Sequence, residues 1–212
     1  MHEITEKVKE DILKNAADLF LRLGFKSVTM DDIAQQMAIS KKTIYAHFST
    51  KTKLVKATVE YLIKEIEQGI SILSAKKLNP IVESYEMKKY AMQMLKNEKS
   101  SPQFQLKKYY PEVYYPLRDK QFEIVQRIVI DNLERGITTG HYKGDIPISF
   151  VSRIYFVGML GIKDKNLFPE DEYSNAKLMD YFLRYHLNSI CTQKGLNTLE
   201  GLIKTNKQKN EI

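Results

Sequence analysis

The sequence predicts an all-α fold, with a three-helix helix-turn-helix head and a larger antiparallel helical body. Three observations carry that expectation. Gly and Pro are sparse, nine and six in 212 residues, so few positions force a turn. Apolar residues recur three and four apart along most of the chain, the period of one helix face and not of a strand. Where Gly, Pro or a capping Ser or Thr does occur, it falls between such stretches.

The first helix carries Val8, Ile12, Ala16, Leu19, Phe20 and Leu23 on one stripe, and Gly24 is its stop. Thr29 is an N-cap for a short second helix through Ile33, Ala34 and Met37. Asp31 and Asp32 stand in its first turn, where negative charge suits the helix dipole. Ala38, Ile39 and Ser40 form a turn, and Ser40 caps a third helix from Lys41 to Phe48. Thr50 or Thr52 caps a long fourth helix, with Leu54, Val55, Val59, Leu62, Ile63 and Ile66 in register to about Leu73.

Asn79-Pro80 breaks the chain and starts a helix from Ile81 to about Glu98. Ser100-Ser101-Pro102, Tyr110-Pro111 and Tyr115-Pro116 punctuate an aromatic stretch, read as short helical pieces. A long helix is expected from Leu117 to Thr139, closed by Gly140. Another is expected over 147–163 with Pro147 in its first turn, and a last large one over 174–193 capped by Ser174. From Leu196 the tail turns polar and is expected to fray.

Composition narrows the function. No apolar run approaches the roughly 18 residues of a membrane span, so no membrane partner is expected. The N-terminus lacks the apolar stretch of a secretion signal. A single cysteine, Cys191, excludes an intrachain disulfide, and the natural reading is a cytoplasmic protein. Net charge is +7, which favours a polyanionic partner. That charge is concentrated: residues 1–40 sum to −2, whereas 41–53 hold Lys41, Lys42, Lys51 and Lys53 and no acid.

Two short helices joined by a three-residue turn, the second rich in Lys, Thr, Tyr and His, have the sequence shape of a helix-turn-helix. The second helix of such a pair needs one apolar face for packing and one polar face for the major groove. Ile44 and Phe48, four apart, supply the first; Lys41, Lys42, Thr43, Tyr45 and His47 supply the second. Lysines neutralise phosphates, Thr reaches a base edge or a thymine methyl, and Tyr and His reach phosphates by hydrogen bond. Ile33, Ala34, Ile39, Ile44 and Phe48 are read as core.

TMDDIAQQMAISKKTIYAHFSTK, with the preceding AADLFLRLGFKSVTM, resembles the DNA-binding domain of the tetracycline-repressor (TetR) family over about residues 8–56. The resemblance implies a DNA-binding domain at 1–53, joined by the fourth helix to an effector-binding and dimerisation domain at 54–212. It also implies a transcriptional regulator, a repressor released by a small apolar or amphipathic effector, acting as a homodimer on a palindromic duplex operator. Thr29, Lys41, Thr43, Tyr45, His47 and Lys51 map onto positions that contact DNA in that family, and Lys42 joins them on its place in the helix. Two departures stand out. Lys42 and Ala38 occupy places where many members have Gly, and a positive φ at Ala38 would cost roughly 1 kcal/mol.

In the body, Tyr90, Met94, Tyr109, Tyr110, Tyr114, Phe122, Tyr155 and Phe156 are candidate walls of an effector pocket, or else ordinary core. Ile154, Gly158, Gly161, Leu178, Phe182 and Tyr185 are candidate dimer contacts on the final two large helices, the alternative being that they complete the protomer's own core. No cofactor is expected. His2, His47, His141 and His186 show no metal spacing, and no phosphate loop or nucleophile motif is present, so an enzyme is disfavoured. A helix-turn-helix protein without a small-molecule ligand is the competing reading.

Overall fold

The structure, a computed structural model, describes residues 2–94 and 102–210. They form ten α-helices and no strand: α1 His2–Leu23, α2 Met30–Gln36, α3 Lys41–His47, α4 Lys51–Ala75, α5 Pro80–Met94, α6 Pro102–Tyr109, α7 Pro111–Thr138, α8 Ile148–Gly161, α9 Asn175–Ile190 and α10 Gln193–Asn210. The chain divides into two compact units, residues 1–68 with 93–121, and residues 69–92 with 122–212. The divisions fall inside α4, α5 and α7, so the first unit reaches well past the boundary expected at residue 53 and takes in α6.

In the first unit, Ile12, Ala16, Leu19 and Phe20 of α1 pack on Ile33 and Ala34 of α2, Ile44 of α3, and Leu54, Val55 and Val59 of α4. Leu106 of α6 and Val113 of α7 complete this cluster. Leu23 does not join it and is 55% exposed. At Gly24 the backbone turns at φ +90, a conformation costly for any residue with a Cβ. That turn brings Phe25 onto Phe20, with ring centroids 4.9 Å apart, in the place Leu23 was expected to fill.

Pro111 divides the aromatic stretch as the sequence predicts, whereas Pro116 does not. Pro111 is the first residue of α7, and Pro116 lies inside the same helix. Near a helix start the missing N–H of Pro forfeits little, because the first four N–H groups have no intrahelical partner and the next bond is a single loss. The aromatic stretch is therefore one short piece, α6, broken at Tyr110, followed by the start of the long α7, which runs on through Pro116.

The second unit packs Ile81 and Tyr85 of α5, Leu133 of α7, Val151 of α8, Leu183, Leu187 and Ile190 of α9, and Tyr142 and Cys191 from the connections. α5 is capped by Asn79, whose Oδ1 accepts the Ile81 N–H at 3.0 Å; its expected end at Glu98 lies outside the described residues. α9 stops at Ile190, short of 193, because the chain then pairs with the loop after α7: Lys143 N–H donates to Ile190 O at 2.9 Å and Thr192 N–H to His141 O at 3.0 Å. The expected frayed tail is instead α10, whose Leu199 is buried and whose Leu196, Leu202 and Ile203 pack on the same cluster.

Candidate nucleic-acid interface

The interface begins with two N-caps. Thr29 holds an extended φ of −104 and forms a capping box with Asp32: the Thr29 N–H and hydroxyl donate to Asp32 Oδ2 at 2.7 and 2.9 Å, and the hydroxyl accepts the Asp32 N–H at 3.2 Å. Those two donations, the backbone N–H first, hold the Asp32 carboxyl below its ordinary range. The Thr29 proton is thus directed at Asp32, leaving an oxygen lone pair and a methyl group for an incoming ligand.

The turn follows. Ala38 adopts φ +51, the left-handed conformation anticipated for a position where Gly is common. Ile39 N–H bonds back to Ala34 O at 3.0 Å, which closes α2 and sets the angle at which α3 leaves. Ser40 caps α3 through an Oγ that accepts the Thr43 N–H at 3.1 Å, and the Ser40 and Thr43 hydroxyls lie 2.8 Å apart. Thr43 is half-buried, so its side chain is oriented by the cap before any ligand arrives.

α3 then divides as a reading helix must. Ile44 and Phe48 are buried, while Lys41, Lys42 and Tyr45 are exposed and His47 is half-buried. Lys41 Nζ bonds Asp31 Oδ2 at 2.8 Å, which raises the ammonium's affinity for its proton, and lies 6.0 Å from the Tyr45 ring centre. Lys42 has no such partner among the described residues. Lys51, at the start of α4, donates to the carbonyl of Lys26 at 3.0 Å, and partial burial lowers its pKa. Thr50, not Thr52, caps α4: its Oγ1 accepts the Lys53 N–H at 3.2 Å. The seven expected DNA-contact residues therefore lie at the N-cap of α2, on α3 and at the start of α4, but they are not equally free. Asp31 and Lys26 were not singled out from the sequence. Asp31 reads there as a dipole partner, and nothing in the spacing announces its pairing ten residues on.

The candidate effector residues are divided between the units. Tyr110 and Tyr114 pack against the head's apolar cluster, with the Tyr110 hydroxyl 3.4 Å from Phe25 O; Tyr109 is exposed, and Met94 is half-buried. In the second unit, Tyr90 lies against Gly69, Phe122 meets Phe156 edge-on at 5.2 Å, and Tyr155 contacts Phe182 at 5.3 Å and His186 at 4.8 Å. A groove of about 330 Å³ lies between α4 and α7 in the first unit, and none of the eight lines it. Its floor is Val59, Ile63, Val113, Pro116 and Leu117, and its rim carries lysines and glutamates.

The candidate dimer residues separate in the same way. Gly158 faces Phe182 so closely that a Cβ would sit 2.3 Å from its ring, and Leu178 is buried, so these three serve contacts within the protomer. Ile154, Gly161 and Tyr185 stay exposed. Tyr181, which the sequence puts beside the α9 stripe, is exposed next to them, as are Phe150 and Val157 of α8, which were not singled out from sequence. No described helix is long and apolar enough to cross a membrane, and among the described residues no three His, Cys, Asp or Glu are placed to hold a metal.

Residues 12–58 match the family of bacterial regulatory proteins, tetR family. An uncharacterized HTH-type transcriptional regulator of Bacillus subtilis, YvaF, is 44% identical over 57 residues, 27% of this chain and 30% of that one. The biofilm operon icaADBC negative transcriptional regulator IcaR of Staphylococcus aureus is 36% identical over 53 residues, 25% of this chain and 28% of that one. The matched segment thus spans under a third of the length of either relative. The crystal structure of a TetR-family transcriptional regulator from Agrobacterium tumefaciens has the same fold, with a TM-score of 0.72 at 21% identity over 89% of this chain and 100% of that one.

Proposed function

Because the N-terminal domain of this chain belongs to the tetR family of bacterial regulatory proteins, we propose that the whole protein is a transcriptional repressor that reads a palindromic duplex operator through α3. One observation carries the reading: α3 buries Ile44 and Phe48 and turns Lys41, Lys42 and Tyr45 outward, with Thr43 held by Ser40 between the two faces. Lys42 is the lysine readiest for phosphate, and Thr43 is the candidate base reader. Lys41 contributes after parting from Asp31, and Lys51 with the protons it does not give to Lys26. Selection of binding duplexes from a random pool, followed by affinity measurement against salt, tests this. Lys42→Ala should weaken all duplexes and reduce the salt slope by about 0.9. Thr43→Ala should lose about 1–3 kcal/mol of preference at one or two positions. A wild-type protein that enriches no duplex would overturn the reading.

Dimerisation through α8 and α9 rests on the exposed apolar set Phe150, Ile154, Val157, Tyr181 and Tyr185, more than a water-facing helix pair ordinarily carries. Two heads would then meet successive major grooves about 34–36 Å apart. Val157→Glu with Tyr185→Glu should give a folded monomer by sedimentation with greatly weakened operator binding. Release by an apolar or amphipathic effector draws support from the α4–α7 groove, whose apolar floor and charged rim suit such a molecule. The competing reading, control without a small ligand, draws on the scatter of the eight aromatic and Met positions. A thermal-shift screen separates the two, since only a ligand-responsive protein is stabilised by such compounds.

A further inference from the structure

Beyond α3, the first unit carries a second surface suited to a polyanion. α6 reads PQFQLKKY and contains no acid. Lys108 Nζ stands 5.6 Å from the centre of the Phe104 ring and 5.4 Å from that of Tyr109, and Lys26 Nζ stands 5.0 Å from the same Tyr109 ring. Lys107 is exposed beside them, Phe104 is 61% exposed and Tyr109 37%. Among the described residues no carboxylate pairs with Lys26, Lys107 or Lys108. Lys26 and Lys108 thus share the Tyr109 ring, and the exposed Lys107 of α6 adds a third ammonium group.

This face is docked to the head and continuous with α3's surroundings. Gln105 Oε1 accepts the Lys26 N–H at 3.2 Å, the Gln105 side chain fills the space over Gly24, and Leu106 is buried in the head's apolar cluster. The carbonyl of that same Lys26 takes the Lys51 ammonium at 3.0 Å. A run of lysines therefore leads from Lys51 at the start of α4 through Lys26 to Lys108 and Lys107 on α6. Cations over aromatic rings keep their position without losing their charge, and DNA phosphates attract such cations by releasing condensed counterions, without regard to sequence.

We propose that α6 is a second DNA contact, in which Lys26 and Lys108, with Tyr109 as their shared platform, and the exposed Lys107 bind the phosphate backbone of the duplex flanking the bases read by α3. The proposal rests on the reading of α3 as the DNA interface, and continuity with that interface selects DNA over an acidic protein as the occupant.

The test uses the full chain and one duplex selected from a random pool, made in two lengths: trimmed to the protected bases, and extended by one helical turn at each end. Lys107→Ala/Lys108→Ala should bind the extended duplex about ten-fold more weakly, while the trimmed duplex changes little. The salt slope on the extended duplex should fall by about 0.9 for each phosphate that the variant leaves unneutralised. Lys107→Arg/Lys108→Arg should restore the extended-duplex affinity. Lys42→Ala should weaken both lengths alike. Equal affinity of the alanine variant and wild type on both lengths overturns the α6 contact while leaving the α3 reading intact, as does an equal loss on both lengths. Failure of the wild type to select any duplex overturns both.

Discussion

The two units keep their polar groups in opposite places. In the first, the described buried residues are apolar with the exception of Thr58, and the charged residues of α2 and α3 stay at the surface. In the second, Glu83, Asn132, His141, Ser152 and His186 are all buried. Glu83 Oε2 accepts from the Arg135 guanidinium and, at 2.6 Å, from Asn132 Nδ2. The Asn132 Oδ1 takes the Tyr142 hydroxyl at 3.0 Å, and Arg135 also reaches Leu78 O at 3.2 Å and Asp131 at 2.9 Å. A head that presents a fixed helix to a ligand needs only a rigid apolar core beneath a polar face. The second unit joins α5 to α7 by directional bonds, which fix one packing where interchangeable apolar contacts would permit several.

The sharpest break of that comparison is at Glu83. Glu83→Ala should destabilise the second unit by about 3–5 kcal/mol, because it strips Arg135 and Asn132 of their shared acceptor in a buried site. Glu83→Leu combined with Arg135→Leu should recover much of that loss in denaturant unfolding. A cost under about 1 kcal/mol for the single variant would mean that the network does not bear on stability. Removing an exposed head pair of the same type, Lys14 with Glu10, should be nearly silent by the same measurement.

A second effect is acid sensitivity of the second unit at His186. Burial pushes the His186 imidazole from its ordinary 6.5 down to about 4, so the fold holds it neutral between Tyr155 and Phe182. Its contribution is complete above the unfolded value near 6.5 and is lost as pH falls toward 4, because the unfolded chain takes up the proton first. The loss is up to about 3 kcal/mol over that window. His186→Leu should flatten the stability profile between those values relative to wild type; parallel profiles would remove His186 as the cause.

In the head the expected effects are smaller and local. Ala38→Gly, at φ +51, should stabilise by about 1 kcal/mol in thermal unfolding, since Gly adopts that backbone without a Cβ clash. Asp31→Asn should leave stability nearly unchanged, as expected for an exposed pair, while raising affinity for unselected duplex DNA a few-fold. It frees Lys41 from the 2.8 Å ion pair and takes a negative charge off the reading face. Unchanged affinity would show that Lys41 does not engage DNA.

The sequence alone determined the all-helical class, the caps at Thr29 and Ser40, the turn at Ala38, the buried pair Ile44 and Phe48, and the family resemblance. All of these depend on neighbours within a few residues, where helix period and capping chemistry act. Even the misread tail was legible in part, since Leu196, Leu199, Leu202 and Ile203 keep helical spacing beneath a polar composition. Only the tertiary structure decided which reading-face lysines are already engaged, that Gly158 serves Phe182 within the protomer, and that Glu83 meets Arg135. It also decided that Lys26, Lys108 and Tyr109 share one surface. Most of these pairings join residues from separate segments of the chain, Lys26 and Tyr109 more than 80 positions apart, and a side-chain period fixes only which way a residue faces, never what it will find there.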